Sequence, residues 1–262
     1  MRTEAMIPAA DGAMLHVVAE GPEDGVPLLL SNSLGTDFTM WDPQIPSLAG
    51  KYRVVRYDTR GHGKSDSPQG DYSIALLAQD ALAVSRAQGW ESFNFAGVSM
   101  GGMTGLWLAA NAAGRIRRAL VANCAPFAGG GAVWGERMKL VAEKGMDAIT
   151  EMVVARWFSP AFAARNPAVI ADISARFRAT SPTGYLGCCA ALRDMDLRPD
   201  LARIDRPVRV VGGEHDPTPP ASSIPGIAGA IAGADWTIVN AAHLSNIEDA
   251  EGFSSALLDF LG

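Results

Sequence analysis

The sequence has 262 residues, 48% of them hydrophobic and 19% charged, and a formal net charge of −6. Those proportions exclude a disordered chain, and the length suits one large α/β domain, with room for an insertion, that can bury a core without disulfides or metal. The acidic balance argues against nucleic acid or an anionic membrane surface as a partner.

In chain order, Met14–Glu20 and Val26–Ser31 read as strands joined by the turn Gly21-Pro22-Glu23-Asp24-Gly25. Tyr52–Tyr57 is a short β-branched strand, and the polar loop Asp58-Thr59-Arg60-Gly61-His62-Gly63-Lys64-Ser65-Asp66 follows it. From Ser73 to Gly89 the positions Ile74, Leu77, Ala81 and Val84 keep helical spacing, with Gly89 placed to end the helix. Phe93–Val98 is an alternating apolar strand, Met100–Ala113 a helix, and Leu120–Asn123 the end of the next strand. Between Gly129 and about Leu197 the pattern is helical throughout, and strand character returns at Val208–Gly212 and Trp236–Val239 before a closing helix over Ile247–Leu261. Alternating strands and helices predict a mostly parallel central sheet flanked by helices. The expected division is a core from residues 1–128 and 198–262 with a helical cap inserted at 129–197.

Cys124, Cys188 and Cys189 are the three cysteines, with no Cys-x-x-Cys pair, so neither a disulfide framework nor a zinc site is expected. Met1-Arg2-Thr3-Glu4 lacks the apolar stretch of a signal peptide, and no apolar run reaches membrane-spanning length. The expectation is a soluble cytoplasmic protein.

The segment Gly97-Val98-Ser99-Met100-Gly101 joins the Phe93 strand to the Met100 helix. A serine exposed at such a sharp strand-to-helix turn needs a strained backbone, and glycines two positions to either side avoid collision. The helix start adds a free N–H, that of Met100, and a positive dipole end. A serine nucleophile also needs a base oriented by a carboxylate. Four histidines are available. His16 lies in an early strand, in a half-exposed structural position; His62 suits loop hydrogen bonding; His215 is a bystander. His243 follows the last strand, at the carboxyl edge of the sheet where Ser99 also lies. After the penultimate strand, Gly212-Gly213-Glu214-His215-Asp216-Pro217 offers two acids. Asp216 is preferred, because it lies further past the strand and Pro217 stiffens its loop, with Glu214 as the alternative. The order Ser99, Asp216, His243 is that of the serine hydrolases built on such a sheet. The Leu34 N–H, in Ser31-Asn32-Ser33-Leu34-Gly35-Thr36, is the candidate second oxyanion donor beside Met100.

These residues resemble the α/β-hydrolase fold across nearly the whole chain, and more narrowly the 3-oxoadipate enol-lactonases of aromatic-compound degradation. The passages that carry the likeness are Asn32-Ser33-Leu34-Gly35-Thr36, Trp41-Asp42-Pro43-Gln44, Arg56–Ser65, Gly97–Gly102 and Gly187-Cys188-Cys189-Ala190-Ala191-Leu192-Arg193-Asp194; the Asp58–Gly63 loop marks only the fold, and the narrower likeness rests chiefly on the Asn32–Gly35 and Cys188–Asp194 passages. The resemblance implies hydrolysis of a small-molecule lactone, 3-oxoadipate enol-lactone, without metal or organic cofactor. That substrate carries a free carboxylate, so a cation under the cap is expected. Arg137, Arg156, Arg176 and Arg193 are candidates, and Trp134, just after a glycine run, is the expected pocket wall. The alternatives are a general carboxylesterase or cofactor-free perhydrolase of the same fold, and a ligand-binding homologue without turnover.

Overall fold

A computed structural model describes residues 2–262. Its first half carries β1 (Thr3–Pro8), β2 (Met14–Glu20), β3 (Val26–Ser31), α1 (Ile45–Leu48), β4 (Tyr52–Tyr57), α2 (Ile74–Ala87), β5 (Phe93–Val98), α3 (Met100–Asn111) and β6 (Ile116–Ala122). Five helices follow: α4 (Gly131–Lys144), α5 (Asp147–Trp157), α6 (Pro160–Arg165), α7 (Pro167–Ala179) and α8 (Pro182–Asp194). The chain ends with β7 (Val208–Gly213), α9 (Ile224–Gly229), β8 (Asp235–Val239), α10 (Ser245–Glu248) and α11 (Ala250–Leu261).

The eight strands form one sheet in the order β1-β2-β4-β3-β5-β6-β7-β8. From β4 to β8 the neighbours are parallel; β1 pairs antiparallel with β2, and β2 with β4. Every residue of β4 and β5 is buried, as expected of parallel strands covered on both faces. α3 packs on β5, β6 and α2, while α11 packs on β6 and β8. The parallel register brings the carboxyl ends of β3, β5, β6, β7 and β8 to one edge, and α4 to α8 enter the chain there, between β6 and β7.

The local signals read from sequence have visible causes. Ser73 caps α2 by accepting from the Leu76 N–H at 3.1 Å, and Gly89 leaves the helix with φ +72°. The strands expected at Val208–Gly212 and Trp236–Val239 each gain one residue, Gly213 and Asp235, and three further boundaries differ for visible reasons. The helix expected to reach Ala113 ends at Asn111, where Ala112 turns away at φ −135°, ψ 38°. The strand end expected at Asn123 lies at Ala122, because Asn123 adopts φ +51°. The closing helix is two pieces: the Asp249 carboxylate accepts from the Gly252 N–H at 3.0 Å, which starts α11 afresh, and from the Asn240 N–H at 3.1 Å.

β1 has no counterpart in the sequence reading. It covers His16, which is 2% exposed rather than half-exposed. The His16 ring lies 2.8 Å from Asp58 Oδ2 and 2.7 Å from Glu4 Oε1, with Phe38 against its face at 5.4 Å. Among the described residues no helix is long and apolar enough to cross a membrane.

Candidate active site

Ser99 occupies the turn between β5 and α3 with φ 56° and ψ −117°, a backbone that a side-chain-bearing residue adopts only when its surroundings impose it. The imposition comes from packing. The Ser99 N–H donates to Ala122 O at 2.8 Å, and its carbonyl accepts from the Met103 N–H at 2.9 Å. A Cβ added at Gly97 would sit 2.3 Å from the Gly101 backbone, and one at Gly101 would sit 2.2 Å from Ser31 O. The spacing of the two glycines is therefore a requirement of how β5, α3 and β3 meet.

His243 lies in the loop after β8, with Nε2 at 2.9 Å from Ser99 Oγ and Nδ1 at 2.9 Å from Asp216 Oδ2. Asp216 is buried, whereas Glu214 is exposed and the exposed His215 ring turns to Asn240 Oδ1 at 3.0 Å. Asp216 Oδ1 accepts from the Thr218 N–H at 2.9 Å. Its Oδ2 is shared between His243 and the Asn123 amide, also at 2.9 Å. Three donors stabilise a carboxylate that burial alone would disfavour.

The loop after β3 carries Leu34, whose N–H, like that of Met100, has no acceptor among the described residues. Its shape is held from behind: the Gly35 N–H donates to His62 Nε2 at 2.8 Å, and the opposite ring nitrogen donates to Arg60 O at 3.2 Å. Burial holds the His62 pKa down, so the ring is neutral and keeps the lone pair that Gly35 needs. Gly35 stands at φ +82°, and a Cβ there would meet the Phe177 ring of α7 at 2.4 Å.

Ser99 and His243 open into a cavity of about 730 Å³ between the sheet edge and the inserted helices. Leu34, Trp134 and Arg137 are in its wall. Among the described residues no cluster of His, Cys, Asp or Glu could hold a metal ion. A base within reach of a hydroxyl, oriented by a carboxylate and facing a cavity, is the arrangement that permits nucleophilic acyl transfer.

Comparison with known proteins agrees. Residues 26–149 match the family model of the alpha/beta hydrolase fold. The 3-oxoadipate enol-lactonase 2 of Acinetobacter baylyi is 37% identical, over 95% of this chain and 93% of that protein. The crystal structure of the enol-lactonase from Burkholderia xenovorans LB400 superposes with a TM-score of 0.94 at 40% identity, covering 99% of both chains. A hydrolase from Pseudomonas aeruginosa PA01 superposes at 0.96, also 40% identical, over 99% of this chain and 98% of that one. This chain belongs to the α/β-hydrolase family. Its fold and relatives make it an ester hydrolase.

In this hydrolase the four candidate arginines separate. Arg137 lines the cavity, its guanidinium 4.8 Å above the Trp134 ring, and makes no ion pair among the described residues. Trp134 is buried and anchored by its Nε1–H to Ala128 O at 2.9 Å. Arg156 also lines the cavity, but it is exposed and donates to Thr218 Oγ1 at 2.9 Å. Arg176 pairs with Asp172 and Asp37, and Arg193 with Asp194 and Asp71; both lie outside the cavity that holds Ser99 and His243. Arg198, not among the candidates, lines it, stacked on Phe127 at 4.4 Å and paired with Asp196.

Sequence reasoning also passed over Asn123. Its amide donates to Asp216 Oδ2 and to Ala242 O at 3.2 Å, and its Oδ1 accepts from Ser245 Oγ at 2.5 Å. One side chain thus ties the end of β6 to the acid loop, the histidine loop and the start of α10. The available signal was its place directly after a strand, at the edge where Ser99 and His243 lie. Asn123→Gly keeps the positive φ accessible while removing the amide. It is expected to lower kcat by about 10²-fold through misplacement of His243 and Asp216, with KM nearly unchanged in steady-state assays.

Proposed function

We propose that this hydrolase converts 3-oxoadipate enol-lactone to 3-oxoadipate, a step of aromatic-compound degradation through the β-ketoadipate route. The observation that carries the reading is the connected line Asp216–His243–Ser99 opening into a cavity whose wall holds Arg137, a cation without an ion pair among the described residues. The relatives named enol-lactonases support it. In this reading residues 129–197 are a cap over the core of 1–128 and 198–262. The partner is a small lactone rather than nucleic acid or a membrane, in keeping with the net charge of −6.

His243 Nε2 takes the proton of Ser99 as Oγ bonds to the lactone carbonyl carbon. The resulting oxyanion faces the N–H groups of Leu34 and Met100, at the positive end of α3. Collapse breaks the ring C–O bond. The departing oxygen is that of an enolate, a better leaving group than an alkoxide, so proton transfer from His243 need not be complete as the bond breaks; the proton then passes to that oxygen, giving the enol and a neutral His243. The opened chain stays joined to Ser99 as an acyl-enzyme. A water deprotonated by His243 then bonds to the acyl carbon, Ser99 leaves with the proton, and the released enol becomes the ketone. Arg137, beside Trp134, meets the substrate carboxylate, whose unpaired burial would be costly.

The test is the loss of enol-lactone ultraviolet absorbance, set beside cleavage of 4-nitrophenyl acetate. Fast lactone opening with much slower ester cleavage is expected. A preference for the ester would assign a general esterase, and tight lactone binding without turnover would assign a binding protein.

A further inference from the structure

Among the described residues, four buried side-chain polar atoms make no hydrogen bond: Arg56 Nε, Thr59 Oγ1, Asn246 Oδ1 and the Tyr185 hydroxyl. Of these residues only Tyr185 lines the cavity that holds Ser99 and His243. Tyr185 is fully buried on α8, its ring edge-on to Phe177 at 5.6 Å. Burial pushes its hydroxyl pKa up, so it stays protonated and able to donate; Arg137 and the Cys189 thiol are near enough to act on it, yet among the described residues none makes a hydrogen bond of good geometry with the hydroxyl.

Close packing holds α8 at this place. A Cβ at Gly184 would lie 2.1 Å from Gly61 Cα, and one at Gly187 would lie 2.7 Å from the Tyr72 ring. These two contacts seat α8 backbone-close on the core on either side of Tyr185. Leu192, two helical turns on, lines the same cavity. The Gly187–Asp194 passage singled out in the sequence is thus continuous with one wall of the substrate cavity. A phenylalanine would fill the ring's place without leaving a buried hydroxyl unpaired, a condition that disfavours the folded state.

We infer that Tyr185 is a specificity-determining residue, whose hydroxyl donates a hydrogen bond to the carboxylate oxygen of the bound substrate on the side of Arg137. This rests on the proposed lactonase reading for the identity of the substrate, but the donor itself requires only an anionic ligand oxygen in the cavity.

Tyr185→Phe tests it, because the change keeps the ring and removes only the donor. KM for the enol-lactone is expected to rise about tenfold, the weight of a hydrogen bond to a charged group, with kcat within about threefold. The ratio of kcat/KM on lactone to kcat/KM on 4-nitrophenyl acetate should fall about tenfold. The melting temperature should stay level or rise, since an unpaired hydroxyl has been removed. An unchanged KM, or equal losses on lactone and neutral ester, overturns the inference.

A second measurement separates this inference from the lactonase reading. Adipate is used as a competitive inhibitor of 4-nitrophenyl acetate cleavage by both proteins. A Ki about tenfold weaker in Tyr185→Phe supports the donor, even if wild-type protein does not open the lactone. Equal Ki values, or no inhibition of wild type, overturn it even if the lactone is opened rapidly.

Discussion

Ser99→Ala is expected to reduce kcat on lactone and ester alike by about 10⁶-fold, the loss seen when the nucleophile of a serine–histidine–acid unit is removed. The fold should survive. Alanine keeps the Cβ, and the packing that holds residue 99 at φ 56° comes from the backbone bonds to Ala122 and Met103 and from the flanking glycines, none of which involve Oγ. What disappears is the 2.9 Å bond to His243 Nε2 and the atom that would carry the acyl group. The N–H groups of Leu34 and Met100 remain, so a residual rate of about 10³-fold over water is expected from oxyanion stabilisation and binding. His243→Ala added to Ser99→Ala should cost little more, because the two act as one unit. Initial rates with a circular-dichroism melt check this: activity within about tenfold of wild type would place the nucleophile elsewhere.

How much of this was legible in the sequence depends on how far apart the cooperating residues lie. The elbow is local. Its strand, serine, glycines and helix fall within a few residues of one another, and the collisions that require glycine at 97 and 101 follow from that spacing. His243 and Asp216 are distant from Ser99, yet they follow strands, and a parallel sheet gathers strand ends at one edge. The arginines were not separable because a near acid, Asp172 for Arg176 and Asp194 for Arg193, does not say which cation faces the cavity, and their other partners are remote. Arg176 is neutralised by Asp37, 139 positions away, and Arg193 by Asp71, 122 positions away. Only the folded chain shows that Arg137 has no acidic partner among the described residues. β1 escaped because Thr3–Pro8 is largely exposed and shows no buried alternation; it is fixed by pairing with β2 and by Glu4 reaching His16 and Lys64. Asn123 was taken into the strand because nothing in its immediate neighbours announces a left-handed backbone. The bonds to Asp216, Ala242 and Ser245 that reward it come from residues 93 to 122 positions away. Tyr185 was visible as one aromatic among several, and its orphan hydroxyl is a property of the packed cavity alone.

Asp216→Asn is expected to lower kcat by about 10⁴-fold, and Glu214→Gln to leave it within about twofold, as usual for an exposed side chain away from the site. The asymmetry follows from who donates to whom. Asp216 accepts at both oxygens: Oδ1 from the Thr218 N–H, and Oδ2 from both Asn123 and His243. An asparagine must place its NH₂ at one of these positions. Set at the Oδ2 position, the NH₂ opposes the Asn123 amide and forces His243 Nδ1 to accept, which moves the ring proton to Nε2 and leaves no lone pair for the Ser99 proton. Set at the Oδ1 position, it opposes the Thr218 N–H and leaves that donor without its acceptor. Either choice leaves a donor unmatched, so a stability loss of about 1–3 kcal/mol accompanies the kinetic one, measurable as a lower urea midpoint. Glu214 is exposed and makes no side-chain hydrogen bond, so neither quantity should move when it is replaced. Should Glu214→Gln lose the activity and Asp216→Asn retain it, the orienting acid is the wrong one of the pair. Asn123 is what makes the two outcomes separable, because its amide holds the carboxylate at 216 in the acceptor role that His243 requires.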